Sequence, residues 1–298
     1  MEKKANRWIY AAALAMAALA VAGVFAVHGW LADRRAAAEA AARSAFLARF
    51  GIVSDGTRQF VPLPPVLPHG ALQAELGQRM FCERKLARTS RRTCGYCHLL
   101  NEGGTDGQVH GKVLTRPAVN AVFAPFYLHD GSISNLHDLV VRMIEDHDFS
   151  GAGSLDKAVL KLAADEQTLA RFRAAYPDGL TASNVVDSIV QHCHTLVTSG
   201  TPFDYYCGGR AEALDARQRR GMELFRQRKC LSCHDGPALG TMKMSEGRKV
   251  PALRGAPRRR AYLSDGSLND LGAVLSRMPG GDLEAEERAA LVSFLKAL

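Results

Sequence analysis

The chain has 298 residues, 47% of them hydrophobic and 23% charged. That length suits two ordinary domains, and that balance excludes both a disordered chain and a multi-span membrane protein. The net charge is +8. The seven cysteines are too sparse for a disulfide scaffold and, being odd in number, cannot all pair.

Residues 8–27 carry no charge, and 20 residues of helix span about 30 Å, the thickness of a bilayer core. Lys3, Lys4 and Arg7 precede the run, Arg34 and Arg35 follow it, and Trp8, Tyr10 and Trp30 mark its ends. The run is longer than the ~7–15 residues of a signal-peptide core. It predicts an uncleaved membrane anchor over residues 1–31, with the rest of the chain exported to the periplasm. Both tryptophans lie in this anchor, so the exported part has no indole. Residues 32–68 read as a linker, first Ala-rich and helical, then extended through Pro62, Pro64, Pro65 and Pro68. Folding is expected to begin near His69.

Cys94-Gly-Tyr-Cys97-His98 and Cys230-Leu-Ser-Cys233-His234 both fit the C-x-x-C-H spacing of c-type haem attachment. The two thiols add to the haem vinyl groups, and the adjacent histidine reaches the iron. A zinc site would need further ligands at short range, and neither motif has them. Two covalently bound c-type haems therefore account for four cysteines. Cys82, Cys193 and Cys207 remain. Cys193 and Cys207 flank a short loop and could pair in an oxidising compartment, the alternatives being free buried thiols or pairing of either with Cys82.

The motifs belong to a repeat. Tyr127, Leu128, Asp130, Gly131 and Leu136 are echoed 135 residues later by Tyr262, Leu263, Asp265, Gly266 and Leu271. Ile133, Leu136, Val140 and Met143 match Leu268, Leu271, Leu275 and Met278, at spacings that put each set on one helical face. Gly77 to Phe81 parallels Gly221 to Phe225. The expected fold class is mainly α, with two cytochrome c-like haem domains from an internal duplication, preceded by one N-terminal transmembrane helix. The domains are expected over residues 69–208 and 209–298.

His98 and His234 are the proximal iron ligands of this reading. In the second domain no histidine follows His234, so Met278, at the end of the repeated helix, Met242 and Met244 are the candidate soft ligands. For Met278 the alternative is core packing. In the first domain His110, His129, His137 and Met143 are available. His110 sits among Gly103, Gly104, Gly107 and Gly111, in a loop from which a ligand can swing away. Arg226, Arg228, Lys229, Arg258, Arg259 and Arg260 could form a basic rim for an acidic electron donor. They lack the interleaved aromatics of a nucleic-acid groove, and nucleic acid is not an expected partner.

Residues 70–298 resemble the bacterial dihaem cytochrome c peroxidase and MauG family. The resemblance runs through residues 76–81, 117–120, 126–131, 195–198, 203–206, 220–225, 250–254 and 262–266. It implies a peroxidatic first haem on Cys94, Cys97 and His98, with His110 as the displaceable distal ligand. It implies a second haem on Cys230, Cys233, His234 and Met278 that takes electrons from a donor. The implied reaction is reduction of hydrogen peroxide to water. The implied donor is a small c-type cytochrome or cupredoxin, and a homodimer is compatible with the resemblance. Met278 stands where MauG has tyrosine. The chain departs from the family at His129, which replaces an inter-haem tryptophan, and at the catalytic glutamine and glutamate, which fall at Leu139 and Phe149. Glu145 is the nearby acid candidate, beside Asp146, His147 and Asp148. An interdomain calcium is a further implication, with Thr115 in place of the family's asparagine. The alternatives are a MauG-like oxidase that modifies a protein partner and a non-catalytic electron carrier.

Overall fold

The computed structural model describes residues 60–298, apart from 65–66, 90–91, 112, 147–152 and 241–242, with isolated helical positions between 34 and 48. Met1–Ser54 and Asp55–Leu298 are separate compact units. The expected anchor lies outside the described residues. Among the described residues, no helix is long and apolar enough to cross a membrane.

The described chain is mainly helical and contains two cytochrome c-like halves. In the first half, α1 (Ala71–Phe81) is followed by α2 (Cys94–Cys97), which carries the first motif, and then by α3 (Leu136–Glu145), α4 (Leu155–Ala163), α5 (Glu166–Ala175) and α6 (Ala182–Thr195). A short helix, α7 (Pro202–Cys207), leads to the second half, built from α8 (Ala216–Gln227), α9 (Leu271–Leu275) and α10 (Ala285–Lys296). Each half rests on one close helix pair, α1 against α6 and α8 against α10. Glycine sets both crossings. A Cβ on Gly77 would run into the Ser188 carbonyl, and one on Gly221 into the Ala290 carbonyl.

Two hairpins complete the repeat: β1 (Val109–His110) with β2 (Val113–Leu114), and β3 (Met244–Ser245) with β4 (Arg248–Lys249). Each docks on the other half. The Leu114 N–H donates to the Ser264 carbonyl (3.1 Å), and the Lys249 N–H donates to the His129 carbonyl (2.9 Å). Leu114 and Lys249 are 135 residues apart, as are His129 and Ser264. The halves are therefore joined by a reciprocal exchange of hairpins. The loops that receive them are also copies. Tyr127 bonds Ile133, and Tyr262 bonds Leu268, both at 2.7 Å. Leu128 and Leu263 both adopt positive φ (62° and 65°), an uncommon conformation for leucine. Asn135 and Asp270 cap the helices that follow, each accepting a backbone N–H at 2.8 Å.

The structure differs from the sequence reading at two places. Among the described residues of and before the proline-rich segment, Phe60, Leu63 and Leu67 are buried, so packing begins before His69. Phe60 joins Phe203, Phe225 and Phe294 in the second core, with Phe60–Phe203 ring centroids 5.2 Å apart. A proline-rich strap can still carry apolar residues into a core. The second difference is at Met278. Helix α9 ends at Leu275, and Met278 lies past it in a turn, its N–H bonded to the Leu275 carbonyl (3.2 Å). Pro279 follows, and it disfavours helical backbone at the residue before it.

The crossing glycines give a direct test. Gly77→Ala and Gly221→Ala should each destabilise the folded protein by about 1–3 kcal/mol through overpacking, read by denaturant unfolding. Equal stability of either variant and the parent would contradict the crossing geometry.

Candidate haem sites and the seam between them

The first motif lies on α2. The His98 Nδ1–H donates to the Gly104 carbonyl (3.1 Å), which leaves Nε2 as the basic nitrogen able to meet an iron. Burial pushes the His98 pKa down, and the Gly104 bond opposes it. The neutral imidazole that a metal needs is thus favoured. In the second motif, on the 3₁₀ turn Cys230–Ser232, His234 is half-buried and its pKa is likewise lowered mainly by desolvation. Each histidine has an aromatic ring beside it. Phe81 lies 6.2 Å from His98 and Phe225 lies 6.5 Å from His234, centroid to centroid.

His110, in β1, is exposed. Its Nε2 lies 2.8 Å from Asp106 Oδ2 and 3.8 Å from Cys97 Sγ. The structure therefore brings His110 to the first motif. His129 lies elsewhere, in the seam between the halves. Its Nδ1 accepts from Arg116 Nη2 (2.8 Å). Burial, with Arg116, Arg248 and Lys249 nearby, pushes its pKa down to about 4, so it is neutral near pH 7 and carries its proton on Nε2. Glu145 ends α3 and accepts the Leu155 N–H at the start of α4 (3.3 Å), a structural use of that carboxylate. Met278 is half-buried in its turn.

The seam holds three half-buried cations, Arg116, Lys249 and Arg259. Burial pushes the Lys249 pKa down to about 8 and that of Arg259 down to about 10, and it lowers Arg116 as well. Arg116 Nε, Arg259 Nε and His129 Nε2 are buried without a hydrogen-bond partner among the described residues. Unpartnered buried donors call for an acceptor, and buried cations call for an anion. Carboxylates such as haem propionates fit both demands. The sequence reading missed Arg116, Lys249 and Asp106. Arg116 and Lys249 are far apart in the chain and meet only through the hairpin exchange. Asp106 is visible only as an acid four residues before His110.

Two secondary expectations change. Cys193 and Cys207 are both free thiols, because Cys193 is buried on α6 while Cys207 packs at the second core. The basic rim is largely compensated. Arg226 faces Glu223 (3.6 Å), Arg228 faces Glu287 (2.6 Å) and Arg260 pairs with Glu102. Arg259 is turned inward, which leaves Lys229 and Arg258 of the expected cluster.

Comparison with known proteins agrees with this layout. The family described as di-haem cytochrome c peroxidase matches residues 71–212, and that described as cytochrome c oxidase, cbb3-type, subunit III, matches residues 216–295. The cytochrome c peroxidase of Escherichia coli K12 is 30% identical over 279 residues, with 80% of this chain and 60% of the relative covered. The cytochrome c551 peroxidase of Nitrosomonas europaea is 27% identical, with 80% and 83% covered. The methylamine utilization protein MauG of Methylorubrum extorquens is also 27% identical, with 80% and 81% covered. The chain thus spans about three-fifths of the E. coli relative. Among solved structures, a MauG-like protein associated with microbial copper homeostasis superposes with a TM-score of 0.69 at 18% identity, covering 83% of this chain and 95% of that one. The diheme peroxidase BthA of Burkholderia thailandensis gives 0.57 at 14% identity, covering 80% and 89%. These two likenesses establish a shared fold.

Thiol counting tests the motif assignments. The haem-loaded protein, once denatured, should show three reactive thiols, the seven cysteines less four in thioethers. In the native state Cys82 should react first, because burial pushes Cys193 up to about 12 and Cys207 up to about 11. Five or more thiols after denaturation would mean that a motif does not hold haem.

Proposed function

The chain belongs to the dihaem cytochrome c peroxidase and MauG family, and from that premise we propose that it reduces hydrogen peroxide to water. In this reaction one peroxide, two protons and two electrons give two waters as the O–O bond breaks. Cys94, Cys97 and His98 would hold the first haem, and Cys230, Cys233, His234 and Met278 the second. When bound, these groups supply the redox chemistry, and a His/Met iron at the second site would favour electron entry there.

The observation that carries the proposal is the position of His110. It lies beside Cys97 on an exposed hairpin bracketed by the positive-φ residues Gly107 and Gly111, not on a packed helix. A pure electron carrier has no use for a displaceable ligand. The His110 Nε2 and Asp106 Oδ2 pair is also placed to hold a proton near the first motif, a task that Glu145, turned to Leu155, is not positioned to share. His129 is a neutral hydrogen-bond donor in the seam, facing the region where propionates fit.

The reductant is proposed to be a small c-type cytochrome or cupredoxin in the periplasm. Membrane attachment is proposed from the uncharged run at residues 8–27, and a homodimer is compatible with the reading but not required by it. The residues at Thr115 do not suit a calcium ion. Its hydroxyl donates to Gln108 O (3.4 Å), its carbonyl accepts from Thr105 (2.8 Å), and the adjacent Arg116 is a half-buried cation. No step of the proposal uses calcium.

The test is turnover by the dihaem protein after one-electron reduction, with a reduced small cytochrome as donor. Two donor molecules should be oxidised per peroxide over many cycles. A reaction that stops after one cycle and leaves modified protein side chains favours the MauG-like reading. No reaction with peroxide would leave only the electron carrier.

A further inference from the structure

The glycine-rich segment after the first motif contains a rigid partner and a movable one. Asp106 is the rigid partner. Its backbone N–H donates to the Cys97 carbonyl (2.7 Å), and its Oδ1 accepts the Gln108 N–H (2.9 Å). The carboxylate side chain is 9% exposed, against 41% for the His110 ring. His110 is the movable partner. Gly107 and Gly111 flank it at φ of +66° and +68°, and a Cβ added to Gly111 would meet nothing within 4 Å. The His110 nitrogen, an Asp106 oxygen and the Cys97 sulfur all lie within 4.8 Å of one another.

We propose that Asp106 is a positioning residue, the dock that holds His110 whenever this histidine is not a ligand of the first haem. The proposal rests on the reading of His110 as the displaceable ligand. The contact with Asp106 is made by Nε2. Coordination through Nε2 requires its lone pair and leaves it no proton to donate. The docked and coordinated states therefore exclude each other. Whatever strengthens the dock raises the fraction of molecules in which the first haem can meet peroxide. The dock sits beside Cys97, whose sulfur is 3.8 Å from the same nitrogen, so the swing is local and needs no rearrangement of the helices. The far end of the hairpin is pinned to the other half through the Leu114 N–H.

The dihaem protein is reduced by one electron, and the high-spin to low-spin ratio of the first haem is read by electron paramagnetic resonance. In Asp106→Ala this ratio should fall about tenfold, the scale of losing a charge-assisted hydrogen bond. Azide binding should slow in proportion. Asp106→Asn keeps the shape and a neutral acceptor, and should fall between Asp106→Ala and the parent. The fully oxidised low-spin spectrum should be unchanged in both, which reports intact haem attachment. An unchanged ratio in either variant with both haems bound overturns the dock. His110→Ala separates this failure from that of the reading beneath it. It should make the first haem high-spin at every redox level. If it does and Asp106→Ala has no effect, only the dock is wrong. If His110→Ala leaves the spectrum unchanged, His110 is not a ligand and both ideas fall.

Discussion

Arg254 is 1% exposed, and burying its charge is tolerable only because every guanidinium nitrogen is engaged. Nη1 meets Asp204 Oδ1 (2.6 Å), Nε donates to the Pro237 carbonyl (2.7 Å) and Nη2 donates to the Val61 carbonyl (2.6 Å). The cation also lies over the Phe203 ring, 4.9 Å from its centroid. Asp204 is shared in turn, accepting the Leu63 N–H (2.7 Å) and closing the capping box of α7 through Thr201. One ion pair thus ties the proline strap, α7 and the segment after the second haem motif together. Removing either partner would strand a buried charge, at a cost of about 3–5 kcal/mol. The network reaches the first half through the Arg254 carbonyl, which accepts from Asn120 Nδ2 (3.2 Å), while Asn120 also bonds Thr198 (2.7 Å). Asn120, Thr198, Asp204 and Arg254 come from four separate stretches that carry the family resemblance. They share one buried network.

With the halves fixed in this way, the hairpins can serve as the working contact between them. Each half reaches across with a two-stranded arm and grips a strained loop on the other. The arm from the first half carries His110. The loop that it grips, around Ser264, belongs to the half that carries the second haem motif. The other arm carries Lys249, which meets the His129 loop of the first half. A bonded path thus runs from the loop around Ser264, in the half that carries the second motif, to the hairpin that carries His110. The cationic seam lies between the arms, where Arg116 donates both to the Lys249 carbonyl (3.3 Å) and to His129.

Much of this was legible in the sequence because covalent haem attachment leaves a fixed spacing and a duplication leaves a fixed offset. The offset of 135 residues between the Tyr-Leu-x-Asp-Gly segments also relates the two hairpins, the two positive-φ leucines and the two helix caps. What was not legible follows from distance and from short elements. A strand of two residues has no periodicity to read, so the hairpin exchange was invisible. The partners of Arg254 lie as far away as Val61, and nothing local announces them. The end of α9 depended on Pro279, which breaks a helix whose apolar pattern continues to Met278. The contact of His110 with Asp106 needed the fold of the glycine loop. That His129 stands where the resemblance puts a tryptophan was plain, but its neutral state follows from burial and from cations that include Arg248 and Lys249 of the other half.

A peroxidase of the proposed kind needs the first iron to open when the second is reduced. That requirement is tested most directly by reductive titration of the unaltered dihaem protein, with the spin state of both irons followed together. The account predicts that as the second iron accepts the first electron, the first iron changes from low-spin to high-spin. If both irons stay low-spin throughout the titration, the two halves are joined but not coupled, and the account is wrong.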